Sequence, residues 1–300
     1  YDAQAFILGM TPEKWNKINN DPRHPMQNRF KGIFAPGSSL KPIIAAIGLS
    51  QNKFSASDDF GNSGKRWQKN KSWGGYYVTT LHDYSGHNVR NALIYSDNIY
   101  FAKAALKIGK DTLKDQFDNL LFGKNLDFTF GLTASSYGSE GFTSEIQLAD
   151  SGYGQGEMMV NPVHMATIYT AFSNKGNMLK PYLIKQKGSK KQVLKEHVFS
   201  NDAVKTVNDA MKQVISNPNG TGHAAQIDGI DLKGKTGTAE IKQSQTDTKG
   251  TELGWFVTIM PKTEYKESLE LVSMTEDVKK RGGSGYVVNK TKKILEEYLQ

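Results

Sequence analysis

Three short stretches of this chain carry, in one order, the groups that acyl transfer needs: Ser38-Ser39-Leu40-Lys41, Ser96-Asp97-Asn98 and Lys235-Thr236-Gly237-Thr238. A serine hydroxyl is a poor nucleophile at neutral pH and needs a base beside it. Ser38 and Lys41 are three residues apart, so a helix puts both on one face. A helix starting at Ser38 would also aim free backbone N–H groups at a reacting carbonyl oxygen. Lys41 accepts a proton only when neutral, so its pKa must come down from about 10.4 through burial or a nearby cation. Lys235 is the candidate cation.

The other two stretches complete the set. Ser96 is suited to relaying a proton to a departing amine and Asn98 to binding a substrate amide, although an isolated Ser-Asp-Asn is also an ordinary polar turn. Lys235–Thr238 falls in an expected strand, where glycine is unfavourable unless something approaches closely. A substrate backbone against Gly237 would be such a reason, with Lys235, Thr236 and Thr238 holding a carboxylate; alone, the stretch also fits an exposed edge strand. Ser50-Gln51-Asn52-Lys53 repeats the serine–lysine spacing, but near a helix end in polar surroundings.

These groups need elements to position them. Residues 1–34 read as irregular and polar, with Asp21-Pro22 and His24-Pro25 as breakers. Helices are expected from Ser38 to Leu49, over 88–95 and 99–107 around Ser96-Asp97-Asn98, and over 112–122. Residues 51–88, rich in Gly, Ser, Lys and aromatics, read as a long ordered excursion. Asn161-Pro162 reads as a cap and first helical position, and Ser200 caps a helix through Ser216. Strands are expected over 232–241, 253–260 and 269–275, with a polar loop over 243–251, and a closing amphipathic helix over 287–298. Helices in the middle and strands at the end indicate an α+β fold.

Composition narrows the partners. The chain has 300 residues, 37% of them hydrophobic and 23% charged, which suits an ordered domain with a sizeable core. The net charge of +8 comes from scattered Lys and Arg with no nucleic-acid signature, so an anionic cell envelope suits it as well as nucleic acid. The absence of cysteine excludes a disulfide framework and a thiolate nucleophile. The six histidines lack metal-ligand spacing, so neither a metal nor a cofactor is expected. No apolar run approaches the length of a membrane span.

With these motifs the chain resembles the transpeptidase domain of class B penicillin-binding proteins over nearly its whole length. Asn28-Arg29 and Pro36-Gly37 match the approach to the nucleophile, Gly154-Gln155-Gly156 with Asn161-Pro162 a second segment (asparagine for the usual threonine), and Gly254-Trp255-Phe256 the next strand. Trp67-Gln68-Lys69, Lys71–Tyr76 and Leu148–Glu157 resemble the low-affinity, β-lactam-resistance group of Gram-positive bacteria. The resemblance implies an antiparallel sheet flanked by helices plus a helical lobe. It also implies a β-hairpin ahead of residue 1 that completes the sheet, and an upstream non-catalytic domain and membrane anchor. On that basis residues 1–300 alone are expected to be poorly soluble.

The implied activity is serine D,D-transpeptidation of peptidoglycan stem peptides at the outer face of the cell membrane. Ser38 is the nucleophile, Lys41 the base, and Ser96 and Lys235 the proton path. Asn98, Thr236, Gly237 and Thr238 bind the substrate, and the N–H groups of Ser38 and Thr238 hold the oxyanion. β-Lactams would acylate Ser38, and proteins of cell division or elongation are possible partners. The alternatives are a serine β-lactamase, for which Glu157-Met158-Met159-Val160-Asn161 has the form of a deacylation segment, a penicillin-sensing receptor, and a structural scaffold. Trp67, Trp73, Tyr76 and Tyr77 would either line the groove or pack the excursion onto the helical lobe.

Overall fold

The opening residues, expected to be irregular, hold two short helices in this computed structural model, which describes residues 2–184, 190–241 and 250–300: α1 (Gln4–Leu8) and α2 (Pro12–Asn19). The signal for α2 is present in the sequence. Thr11 accepts from Lys14 N, Pro12 takes the first helical position, and Glu13 favours the positive helix end. The chain then makes a 3₁₀ turn over Gly37–Leu40 that runs into α3 (Lys41–Ser50). The α-helix therefore begins three residues later than expected, and Ser38 sits in the turn that feeds it.

The excursion after α3 is pinned by a two-stranded antiparallel ladder of β1 (Arg66–Trp67) and β2 (Val78–Thr79). Three helices follow: α4 (Val89–Ile94), α5 (Asn98–Ile108) and α6 (Lys110–Asn119). Next come α7 (Glu145–Ser151) and α8 (Pro162–Ser173). The α7 helix is not among the expected elements, yet Ser144 and Gln147 have the spacing of a capping box and Ser144 accepts from Gln147 N. Asn161 caps α8 as expected, accepting from Val163 N and His164 N while its amide donates to Phe30 O and Gly32 O. A small ladder of β3 (Met178–Leu179) and β4 (Val193–Lys195) precedes α9 (Asn201–Ser216).

The last third forms an antiparallel sheet in the order β5 (Lys233–Ile241), β6 (Thr251–Met260) and β7 (Leu269–Thr275), closed by α10 (Ser284–Leu299). Strand alternation splits β6 between two cores. Trp255, Val257 and Ile259 join the large core formed with α3, α5, α8 and α9, whereas Phe256 and Met260 pack towards α10. The α+β class read from the sequence holds. The expected loop over 243–251 lies, from 243 to 249, outside the described residues. Among the described residues no helix is long and apolar enough to cross a membrane.

Candidate active site

Ser96 lies between α4 and α5 with φ +55°, in the left-handed region that a non-glycine residue enters only under constraint. The constraint comes from both sides. Ser96 N and Asp97 N donate back to Leu93 O and Ala92 O at the end of α4. Asp97, 2% exposed, caps α5 by accepting from Ile99 N at 2.8 Å. The reversed backbone at Ser96 turns three consecutive residues two ways: the Ser96 hydroxyl and Asn98 amide meet Lys41, while Asp97 points behind the turn.

Lys41, fully buried at the start of α3, sends its Nζ to this turn: 2.6 Å to Ser96 O, 3.2 Å to Ser96 Oγ and 2.7 Å to Asn98 Oδ1. The amide of Asn98 is oriented by its second contact, Nδ2 donating to Thr79 O at 3.0 Å. Lys235, also fully buried, reaches from β5 to the same hydroxyl at 2.8 Å and donates to Thr236 O at 3.0 Å. Burial pushes the Lys41 amine far below the usual lysine range, and the Lys235 cation pushes it further down while Asp97 opposes. Burial alone brings Lys235 down to about 7. The sequence required a neutral amine beside the serine; the fold supplies both of the causes named for it, burial being the larger.

The nucleophile turn is locked onto β5. Gly37 has φ +52°, its N donates to Gly154 O at 2.9 Å, and a methyl at its Cα would overlap the Thr238 carbonyl. Gly237 answers from the strand: a Cβ there would lie 2.8 Å from Ser39 N and 2.9 Å from Pro36 O. The close approach that this glycine permits is thus made by the chain's own turn, a reason the sequence did not offer. Tyr169 of α8 holds the turn from below by donating to Ser39 O at 2.6 Å. Ser38 and Thr238 remain half-buried, at the accessible side of this contact.

Two groups near the site carry no sequence signal. The Thr236 hydroxyl donates to Thr221 Oγ1 at 2.7 Å, which ties the strand to the segment after α9. Behind Asp97, Tyr84 and His87 form a second set of contacts. Ser50, the rival serine, instead accepts from Ser200 N at 2.9 Å at the far end of α3. Glu157 is exposed, its carboxylate against Gly138. Of the excursion aromatics Trp73 is packed, 5% exposed and edge to face with Trp67, while Trp67, Tyr76 and Tyr77 are half-buried. The hydroxyls of Tyr76 and Tyr153 both donate to Asp150, and Tyr77 stacks under Arg66.

Comparison with known proteins gives the family. Residues 4–296 match the penicillin binding protein transpeptidase domain, and the chain belongs to that family. It is 40% identical over 295 residues to penicillin-binding protein 3 of Bacillus subtilis, covering 98% of this chain and 44% of that protein, and so resembles the class B type. It is 28% identical over 228 residues to the peptidoglycan D,D-transpeptidase FtsI of Escherichia coli, covering 75% of this chain and 37% of that one. The chain thus spans less than half the length of these curated relatives. Penicillin-binding protein A of Mycobacterium tuberculosis, solved as a ceftriaxone acyl-enzyme, shares the fold with a TM-score of 0.83 at 18% identity, over 100% of this chain and 69% of that one.

Proposed function

We propose that this domain is a serine D,D-transpeptidase that cross-links peptidoglycan stem peptides through an acyl-enzyme on Ser38. The observation that carries this reading is the convergence of two buried lysines on Ser96 Oγ, beside a serine turn locked to the Lys235–Thr238 strand. Neutral Lys41 takes the Ser38 proton as the hydroxyl oxygen attacks the penultimate D-alanine carbonyl. The N–H groups of Ser38 and Thr238 hold the oxyanion. Its collapse breaks the peptide C–N bond, and the leaving nitrogen of the terminal D-alanine receives the proton held by Lys41 through Ser96, with Lys235 supplying charge. Thr236 and Thr238 bind the terminal carboxylate, Gly237 lets the strand meet the nucleophile turn, and the free N–H of Asn98 binds the substrate amide. An amine from a neighbouring stem peptide then displaces Ser38 from the ester, its proton passing by way of Lys41 to the departing Ser38 oxygen.

The same chemistry makes the domain a target of β-lactams, which would leave Ser38 acylated. Trp67–Tyr76 and Leu148–Glu157 support placing it in the slowly acylated, low-affinity group, acting at the outer face of the cell membrane, where proteins of cell division or elongation are candidate partners. The exposed position of Glu157 disfavours β-lactamase chemistry, which needs a base over the ester.

Intact-mass detection of penicillin adducts over time tests the proposal, with Ser38→Ala as control. A long-lived adduct of one penicilloyl unit, absent in Ser38→Ala, is expected. An adduct that vanishes while penicillin is consumed would mean a β-lactamase, and no adduct at high concentration would refute the assignment.

A further inference from the structure

Asp97 turns its back on the reacting groups, yet it organises its own set of contacts behind the turn. One carboxylate oxygen caps α5 through Ile99 N at 2.8 Å. The other accepts from the Tyr84 hydroxyl at 2.7 Å and lies 3.7 Å from His87 Nδ1. Tyr84 is itself clamped, stacked on Tyr95 at 4.5 Å and tilted against His87 at 4.4 Å. His87 is 8% exposed and fixed at its backbone, its N donating to Asp59 Oδ2 and its O accepting from Phe60 N.

Beside this cluster is a cavity of about 10 Å³ bounded by Asp97, His87, Tyr100 and Lys103. Two polar atoms in these walls, His87 Nε2 and the Tyr100 hydroxyl, are buried without a protein partner among the described residues. The back of the Ser96 turn is therefore packed, with Phe60 and Ile99 also in these walls, whereas an ordinary turn would be solvated.

We propose that Asp97, braced by Tyr84 and His87, is a positioning residue that holds the Ser96 hydroxyl and the Asn98 amide on Lys41 and sets the electrostatics of Lys41 from behind. The inference rests on the transpeptidase reading and deepens it. Geometrically, the cap and the brace keep Ser96 in a conformation that costs about 1–3 kcal/mol when unsupported. Electrostatically, Asp97 is the acidic group that opposes the depression of Lys41. The other charged or titratable groups around it are Tyr84 and His87 from the preceding segment, Tyr100 and Lys103 of α5, Asp58 and Asp59 of the excursion, and Lys235 of β5.

Two substitutions separate the roles. Asp97→Asn keeps an acceptor for Ile99 N but removes the charge, so Lys41 loses its proton at lower pH. Tyr84→Phe keeps the charge and removes the brace. Penicillin acylation rates across pH are the first readout. Asp97→Asn should slow acylation about 10–100-fold and move the acid limb downward, and Tyr84→Phe should slow it without moving that limb. The second readout is direct titration of the Lys41 side chain by ¹³C NMR, assigned by its loss in Lys41→Met, which needs no acylation. Failure of the wild-type protein to form an adduct would refute the transpeptidase reading alone, since the Lys41 titration still tests Asp97. Wild-type rates and an unmoved Lys41 titration in both variants, with only a lowered melting temperature, would overturn the positioning role.

Discussion

Lys41 and Lys235 donate to a single atom, Ser96 Oγ, from 3.2 and 2.8 Å. Both amines are fully buried, so two full charges there would repel each other at low dielectric with little water to screen them. The arrangement is tolerable with one proton shared between the pair, and that state is the one in which one amine is a base and the other a cation. The pair titrates as a unit, Lys41 giving up its proton first because Lys235 adds to its burial.

Acylation should therefore follow a bell in pH. The acid limb reports Lys41 becoming neutral, far below the usual lysine range, and the alkaline limb begins as Lys235 loses its proton from about 7 upward. Lys41→Met should lower the acylation rate about 10²–10⁴-fold across the whole range. Stopped-flow labelling with a reporter penicillin between pH 5 and 10 measures both. A rate still rising steeply at pH 10, as an unperturbed lysine base would give, is the contrary result.

The same shift has a signature in stability. Lys235 has a folded pKa of about 7 against about 10.4 unfolded, so between these values the unfolded chain binds more protons. Its contribution to stability grows as pH rises through that window and is lost as pH falls back towards 7. The slope is at most about 1.4 kcal/mol per pH unit. Urea unfolding at pH 7.5 and 9 should show wild-type stability rising relative to Lys235→Met. Parallel pH dependences of the two proteins would contradict the depressed amine.

Much of this arrangement is legible in the sequence, because the chemistry lies in three contiguous stretches and the elements around them follow strong periodicity. The helices at 98–108 and 201–216 and the strands at 251–260 and 269–275 fall within about two residues of expectation. Helices α2 and α7, absent from the expectation, carry capping signals at Thr11-Pro12-Glu13 and Ser144–Gln147 but are too short to show a hydrophobic face. The contact of Gly237 with Pro36 and Ser39 is not legible in the sequence, because those residues lie some 200 positions away. Tyr84, His87 and Thr221 leave no trace for a similar reason. Their contacts to Asp97 and Thr236 join separate elements, and no spacing rule encodes that.

Glu270 offers a test away from the reaction. On β7 it alternates with Val272 and Met274, which face the large core, and its carboxylate oxygens are buried with no hydrogen-bond partner among the described residues. Burial pushes its carboxyl well above the usual carboxylate range. A raised carboxyl stabilises the fold below the unfolded value of about 4.3 and loses that contribution as pH rises towards the folded one. Glu270→Met, of similar length and without the charge, should gain about 0.5–2 kcal/mol at pH 7.5 and little at pH 4.5. Chemical denaturation at the two pH values measures it; equal effects at both would show that ionisation of Glu270 has no part in stability.

Gly37 is where packing and chemistry are least separable. Its φ of +52° strains any other residue, and an added methyl meets not a side chain that can rotate but the Thr238 carbonyl of the central sheet. The turn cannot shift away, because Gly37 N is bonded to Gly154 O and Tyr169 holds Ser39 O beneath it. Gly37→Ala should therefore cost about 2–4 kcal/mol and push Ser38 off the strand that supplies Thr238. Penicillin labelling should fall about 10²-fold or more, since small displacements of a nucleophile are that costly. Melting temperature and labelling rate are read on the same sample. A variant that labels at the wild-type rate, whatever its melting temperature, would show that the contact between this turn and β5 does not set the position of Ser38.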